Sequence, residues 1–217
     1  MNINDVFNSE NRFFSTMSKV WDVLMLNLLF ILTVIIGVGP ASTGLYYAMV
    51  KNVRRSRSYA STSFFHAFKT NFKQAFILGL IQIALGVMLY YSWSFALSMD
   101  GKTFAGQAYF AGWFVCLFLY LSVCIYMYPV LSRFAWSNKQ ILKMSLYFSL
   151  KHLPSTVGIL AMLVVLALAV YVFPPVVLFG FGLYVFFKSL LMEKILKKYT
   201  PKPAEGEETT ADLWYLE

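Results

Sequence analysis

Residues 37–44 read Gly-Val-Gly-Pro-Ala-Ser-Thr-Gly and interrupt a long apolar run. Pro40 has no N–H and biases Gly39 away from helical conformation, so a helix is expected to stop there. A helix that breaks at membrane depth exposes backbone polar groups, and such breaks bind ligands in transporters. The alternative is a tight external turn in which Ser42 or Thr43 caps the following helix. Both interpretations remain open at this level.

Three further polar residues lie within apolar runs: Asp22, Asn27 and Gln82. An amide in hydrocarbon must be hydrogen-bonded, so Asn27 and Gln82 are expected to face other helices. They would serve either as contacts between helices or as polar contacts in a substrate cavity. Asp22 would complement the dipole of the first membrane helix, or couple transport to protons. The predicted polar site therefore comprises Asp22, Asn27, Gly39, Pro40, Ser42, Thr43 and Gln82.

Residues typical of catalysis or metal binding form no recognisable pattern. His66 and His152 have no Cys, Asp or Glu at ligand spacing, and no nucleotide-binding, zinc-protease or serine-hydrolase motif occurs. Cys116 and Cys124 are eight positions apart on one predicted helix, roughly 12 Å, which is too far for a disulfide. We expect no metal, no cofactor and no enzymatic activity.

Composition indicates an integral membrane protein. The chain is 59% hydrophobic and 13% charged, against about 45–50% and about 25% for a soluble domain. The formal charge is +8, but the basic residues flank apolar runs, where anionic lipid headgroups account for them better than nucleic acid does.

The apolar runs predict an all-α bundle of about six membrane spans, the second of them short. Pro174 and Pro175 divide the last run, which is too long for one span. We expect one membrane domain over residues 1–198 and a disordered tail over 199–217. The predicted spans are Val20–Val38, Ala41–Val50, Gln74–Ser98, Gly106–Ser132, Thr156–Phe173 and Val176–Met192. The second of these is either a tilted span, extended to Val53, or a half-span.

The distribution of charge predicts the orientation. Of the eighteen Lys and Arg residues, all except Lys102 fall on one side of this threading. Positive residues in short loops remain in the cytoplasm, so both termini are expected there, in the cytoplasmic (inner) membrane.

Short amphipathic helices are predicted on the cytoplasmic surface, over residues 1–19, 63–72 and 141–150. Their aromatic and basic residues would bind anionic lipid of the inner leaflet or dock a cytoplasmic partner. An internal repeat is also predicted, residues 44–80 against 126–162, in which Tyr46 aligns with Tyr128. The predicted lipid or partner contacts are Arg54, Arg55, Arg57, Lys69, Lys73, Arg133, Lys143 and Lys151.

Several ordered motifs resemble the YesL-like family of bacterial membrane proteins, which has no assigned activity. They are Trp21-Asp22, residues 26–29 (Leu-Asn-Leu-Leu), Gly39-Pro40-Ala41 with Leu45-Tyr46, and a run from Phe65 to Ala75. Because members often accompany carbohydrate importers, the resemblance implies an accessory or regulatory role in oligosaccharide uptake, with an importer or sensor subunit as partner. The alternative is a small secondary transporter with a cavity between its helices, and a membrane enzyme is a third. The resemblance supplies no site residues, and the oligomeric state stays open.

Overall fold

A computed structural model describes residues 12–54, 59–99 and 101–200, with side chains from Thr16 onward. Within these residues the helices are joined only by short turns and loops, and no strand is present. Its α-helices are α1 (Arg12–Val34), α2 (Val38–Ala48), α3 (Ala60–Thr70), α4 (Phe72–Ser98), α5 (Phe104–Arg133), α6 (Asn138–Lys151), α7 (Leu153–Val172) and α8 (Val177–Tyr199), with a π-helix over Met49–Arg54 and a 3₁₀ turn over Pro174–Val176.

The long helices α4, α5, α7 and α8 run antiparallel in chain order. Trp113 Nε1 donates to the Leu89 carbonyl at 3.1 Å and Tyr120 Oη to the Gln82 carbonyl at 3.1 Å, which fixes the register of α4 against α5. The Tyr126 and Thr156 hydroxyls, 3.0 Å apart, join α5 to α7. The connection from α4 to α5 and the connection from α7 to α8 therefore lie at the same end of the bundle, which we call the hairpin end. The opposite end, which we call the basic end, contains the start of α4, the end of α5, the start of α7 and the end of α8.

Among the described residues, five helices are long and apolar enough to cross a membrane: Thr16–Val34, Phe72–Ser98, Phe104–Arg133, Leu153–Val172 and Pro174–Tyr199. Their outward-facing apolar side chains, such as Val165 and Leu168 on α7, are exposed where lipid would surround them. The predicted helical membrane bundle is confirmed. The second of the six predicted spans is not among these five, because α2 and the π-helix together cover only Val38–Arg54.

Helix α2 is buried along almost its whole length and packs closely on α4. A side-chain carbon at Gly39 would overlap the Ala75 carbonyl oxygen, so only glycine allows this approach. Gly37 likewise lies against Phe76. The break between α1 and α2 therefore packs against the first turns of α4.

Whether this break is an external turn or lies at membrane depth stays a prediction. The predicted cap is wrong: α2 begins at Val38, so Ser42 and Thr43 lie within it, and the Thr43 hydroxyl donates to the Gly39 carbonyl at 2.9 Å. The sequence pattern located the break correctly but gave no information on its contact with α4.

The two predicted surface helices inside the chain correspond to α3 and α6. Helix α3 continues into α4 through ring contacts between Phe64, Phe68, Phe72 and Phe76, and α6 begins with a capping box between Ser137 and Gln140. Predictions for residues 1–11, Arg55, Arg57 and the tail beyond Thr200 lie outside the described residues.

Candidate functional site

A cavity of about 290 Å³ lies between α1, α2, α4, α5, α7 and α8, and we call it the central cavity. Its wall is largely aromatic and aliphatic, with Phe30 and Phe181 on one side. Its polar members come from four different helices. They are Ser42, Tyr46, Gln82, Tyr120, Cys124, Tyr128, Tyr184 and Lys188.

Lys188 is the most unusual of these residues. Its side chain is only 7% exposed, in the middle of α8, and its ammonium lies 5.8 Å from the centre of the Tyr184 ring. Across residues 12–54, 59–99 and 101–200 it makes no hydrogen bond or ion pair, and the carboxylates described there are those of Asp22 and Glu193 alone. A buried charge without a partner carries a large desolvation cost, so it normally marks a functional position.

Gln82 and Ser42 contribute further polar groups. The Gln82 side-chain oxygen accepts a short hydrogen bond from Tyr128, and its backbone carbonyl accepts one from Tyr120. Among the described residues nothing accepts from Gln82 Nε2, and the Ser42 hydroxyl has no partner. Pro129 also lines this wall, and its missing N–H removes one helix bond to the Ile125 carbonyl.

Next to the central cavity, towards the basic end, lies a buried ion pair. Arg133 Nη1 donates to Glu193 Oε2 at 2.8 Å, and the Tyr46 hydroxyl donates to Glu193 Oε1 at 2.9 Å. Arg133 and Glu193 are 6% and 5% exposed. This cluster joins α2, α5 and α8 and satisfies Glu193 from two sides, so Glu193 is not directed at Lys188.

The structure places Arg133 and Arg54 differently from the sequence prediction. Arg133 was expected to contact lipid or a partner, and its ion pair with Glu193 contradicts this. Arg54 Nη1 donates to the Ser189 carbonyl on α8 at 2.9 Å, so this guanidinium also serves contacts within the protein. The rest of the described set is exposed at the basic end: Lys69, Lys73, Lys143 and Lys151.

Of the predicted polar site, only Ser42 and Gln82 line the central cavity. Asn27 instead joins α1 to α8: its Nδ2 donates to the Val177 carbonyl at 3.0 Å and its Oδ1 accepts from the Gly182 N–H at 2.7 Å. Asp22 is half-buried on α1, away from the cavity. Gly39, Pro40 and Thr43 are buried within the α2 packing.

Outside the membrane segments, two ionisable groups lie together between α6, α7 and α8. Lys151 Nζ donates to the Tyr147 hydroxyl at 2.8 Å, and hydrogen bonds to Tyr147 and Tyr199 raise its pKa. His152 Nε2 lies 3.1 Å from the Tyr199 hydroxyl. Burial, and then the charges of Lys198 and Lys151, lower the pKa of His152.

Sequence reasoning missed Lys188, Glu193 and the tyrosines of the central cavity. A lysine near the end of an apolar run looks like one that extends its ammonium to the membrane surface, and tyrosines are typical of membrane interfaces. One signal was available: Glu193 is the only acidic residue between Asp100 and Glu205. Both cysteines are free, as predicted, and the described residues hold no cluster of metal-ligating side chains.

Five long apolar helices around a partly polar interior define a multi-pass helical membrane protein. Comparison with known proteins finds similar sequences, but none of them has an assigned activity. Residues 23–93 match the model of a family described as protein of unknown function, DUF624. The chain is 27% identical over 159 residues to the uncharacterized protein YteU of Bacillus subtilis (strain 168), which covers 70% of each chain. No solved structure matches the chain.

Proposed function

We propose that this membrane protein binds a small polar solute in the central cavity, as a small secondary transporter or solute sensor. The observation that carries the proposal is the convergence of Ser42, Gln82 and Lys188 on one cavity of about 290 Å³. Apolar walls with a few convergent polar groups are typical of ligand sites. A site that only joined helices would leave fewer donors without acceptors.

The proposed solute is sugar-sized. The cavity is at the lower end of the range of about 300–1,000 Å³ for ligand pockets, so it suits one sugar ring better than an oligosaccharide. Aromatic faces such as those of Phe181 and Tyr184 stack on the apolar side of such a ring, and the amide and hydroxyl groups bind its hydroxyls. The resemblance to YesL-like proteins supports a role in carbohydrate uptake, and that role is part of this proposal.

Thermal unfolding of the purified protein in detergent, with a panel of monosaccharides and sugar acids, tests solute binding. We expect at least one solute to raise the unfolding temperature, and Gln82→Leu to reduce that rise. The matched control is Gln107→Leu, because Gln107 is exposed near the hairpin end. The proposal fails if no solute raises the unfolding temperature, or if both variants respond like the wild type.

The proposed orientation places the basic end in the cytoplasm of the inner membrane, with both termini there. With the native cysteines replaced by serine, Lys102→Cys should react with a membrane-impermeant thiol reagent in whole cells, and Lys143→Cys should not. Both positions are exposed, so access to the side chain is equal. Labelling of Lys143→Cys but not of Lys102→Cys would show that the basic end faces the outside of the cell.

A second candidate function, an accessory role at a carbohydrate importer or sensor, is favoured by α3 and α6. Phe65 on α3 and Tyr147 on α6 are 39% and 45% exposed at the basic end, beside exposed lysines. Stoichiometric recovery of an importer subunit after crosslinking, lost in Phe65→Ser with Tyr147→Ser but kept in Phe104→Ser at the hairpin end, would support it. Recovery of the protein alone would favour independent action.

A further inference from the structure

We propose that the central cavity binds a hydroxylated organic acid and that Lys188 binds its carboxylate. This inference rests on the proposed function and names the chemical class of its ligand. The Lys188 ammonium lines the cavity and has no acceptor or counter-ion within residues 12–54, 59–99 and 101–200.

The charge balance around the cavity favours an anion. Glu193 is bound to Arg133 and Tyr46, so it is not the counter-ion of Lys188 although both lie on α8. Asp22 is on α1 and does not line the cavity. A ligand carboxylate would provide the missing negative charge, and a charge-assisted hydrogen bond to an ammonium is among the stronger polar contacts.

The remaining polar groups favour hydroxyls on the same ligand. Gln82 Nε2 and the Ser42 hydroxyl both line the cavity and have no protein acceptor among the described residues. Together with Lys188 they offer one charged and two neutral donors, from α8, α4 and α2, to a single small molecule. A bare inorganic anion would use the ammonium but leave the aromatic wall at Phe181 without a contact.

The test compares glucuronate with glucose, which differ at one carboxylate, by thermal unfolding and by equilibrium binding to the purified protein. We expect glucuronate to raise the unfolding temperature by roughly 5 °C or more at a hundred times its Kd, and glucose to bind more weakly. Lys188→Met should lower the affinity for glucuronate about tenfold to a hundredfold and leave that for glucose unchanged. The matched control is Lys194→Met, because Lys194 is exposed on the same helix.

Each outcome decides between the proposals. Equal binding of both sugars, with no effect of Lys188→Met, would overturn the acid inference and keep the solute site. No binding of either sugar would overturn this inference, and no response to the whole solute panel would overturn the proposed function as well. Equal stabilisation by inorganic phosphate would show that Lys188 binds free phosphate. Stabilisation in phosphatidylglycerol nanodiscs but not phosphatidylcholine nanodiscs would show that it binds a lipid headgroup. Either result would overturn the organic-acid ligand.

If Lys188→Met fails to fold, Lys188→Arg should keep glucuronate binding, and Gln82→Leu should weaken the binding of both sugars. If Gln82→Leu abolished the binding of glucose alone, this result would contradict the proposed arrangement of donors in the cavity.

Discussion

The two halves of α5 resemble each other in composition and differ in what surrounds them. From Phe104 to Leu121 only Gly106 is buried, whereas nine residues are buried from Ser122 to Arg133. The first half pairs with α4 through Trp93 and Trp113, whose ring centres are 4.6 Å apart, and contributes Tyr120 and Leu121 at its end to the central cavity. The second half forms a wall of the central cavity and carries the arginine of the buried ion pair.

This difference shows where the fold concentrates its specificity. The half towards the hairpin end needs only apolar side chains and an aromatic hairpin contact, because lipid replaces protein as its solvent. The half towards the basic end packs α2, the π-helix, α3 and α6 into one core with α5 and α8. Substitutions should therefore have large effects near the basic end and small effects near the hairpin end.

The largest effect is expected at the buried ion pair. Glu193→Leu leaves Arg133 buried without its carboxylate, which should lower the free energy of unfolding by about 3–5 kcal/mol. The double variant Arg133→Met with Glu193→Leu should regain most of this loss, because no isolated charge remains. Denaturant unfolding in detergent measures both, and an equally unstable double variant would show that Arg133 has another essential role.

A comparable effect is expected where α2 meets α4. Gly39→Ala places a carbon against the Ala75 carbonyl, so the helices must separate, at about 3 kcal/mol or more. Gly112→Ala, in the lipid-facing half of α5, has no atom within 4 Å to displace and should leave stability unchanged. Equal unfolding temperatures for the two variants would mean that the α2–α4 contact is not as close as described.

A smaller effect is expected at Asn27. Asn27→Leu removes two hydrogen bonds between α1 and α8 and should cost about 1–2 kcal/mol. Solute binding should persist, because Asn27 does not line the central cavity. Loss of solute-dependent stabilisation in a folded Asn27→Leu protein would restore Asn27 to the site.

The smallest effect is expected at His152, near the basic end but outside the membrane segments. Its pKa is lowered in the folded protein from its ordinary value near 6.5. The unfolded chain therefore takes up a proton more readily as the pH falls below about 6.5, and stability falls with it. We expect a slightly lower unfolding temperature at pH 5.5 than at pH 7.5, and less of that difference in His152→Gln. If the unfolding temperatures of His152→Gln at the two pH values differ as much as those of the wild type, His152 does not cause the pH dependence.

The sequence predicted the elements of this fold better than the contacts between them. Long apolar runs and paired prolines located α4, α5, α7 and α8, because hydropathy reports directly on contact with lipid. The packing of the α1–α2 break depends on Gly39 meeting Ala75, a contact between distant residues that no local pattern encodes. For the site, Ser42 and Gln82 were predicted as polar residues in apolar runs, but Lys188 was not, because a buried lysine and one at the membrane surface look alike in sequence.

The most direct test of the central cavity uses the two native cysteines. Cys124 lines the cavity and Cys116 does not. In a Cys116→Ser protein, glucuronate at ten times its Kd should slow modification of Cys124 by N-ethylmaleimide about tenfold. In a Cys124→Ser protein the modification of Cys116 should be unaffected. Equal rates for Cys124 with and without glucuronate would contradict the account.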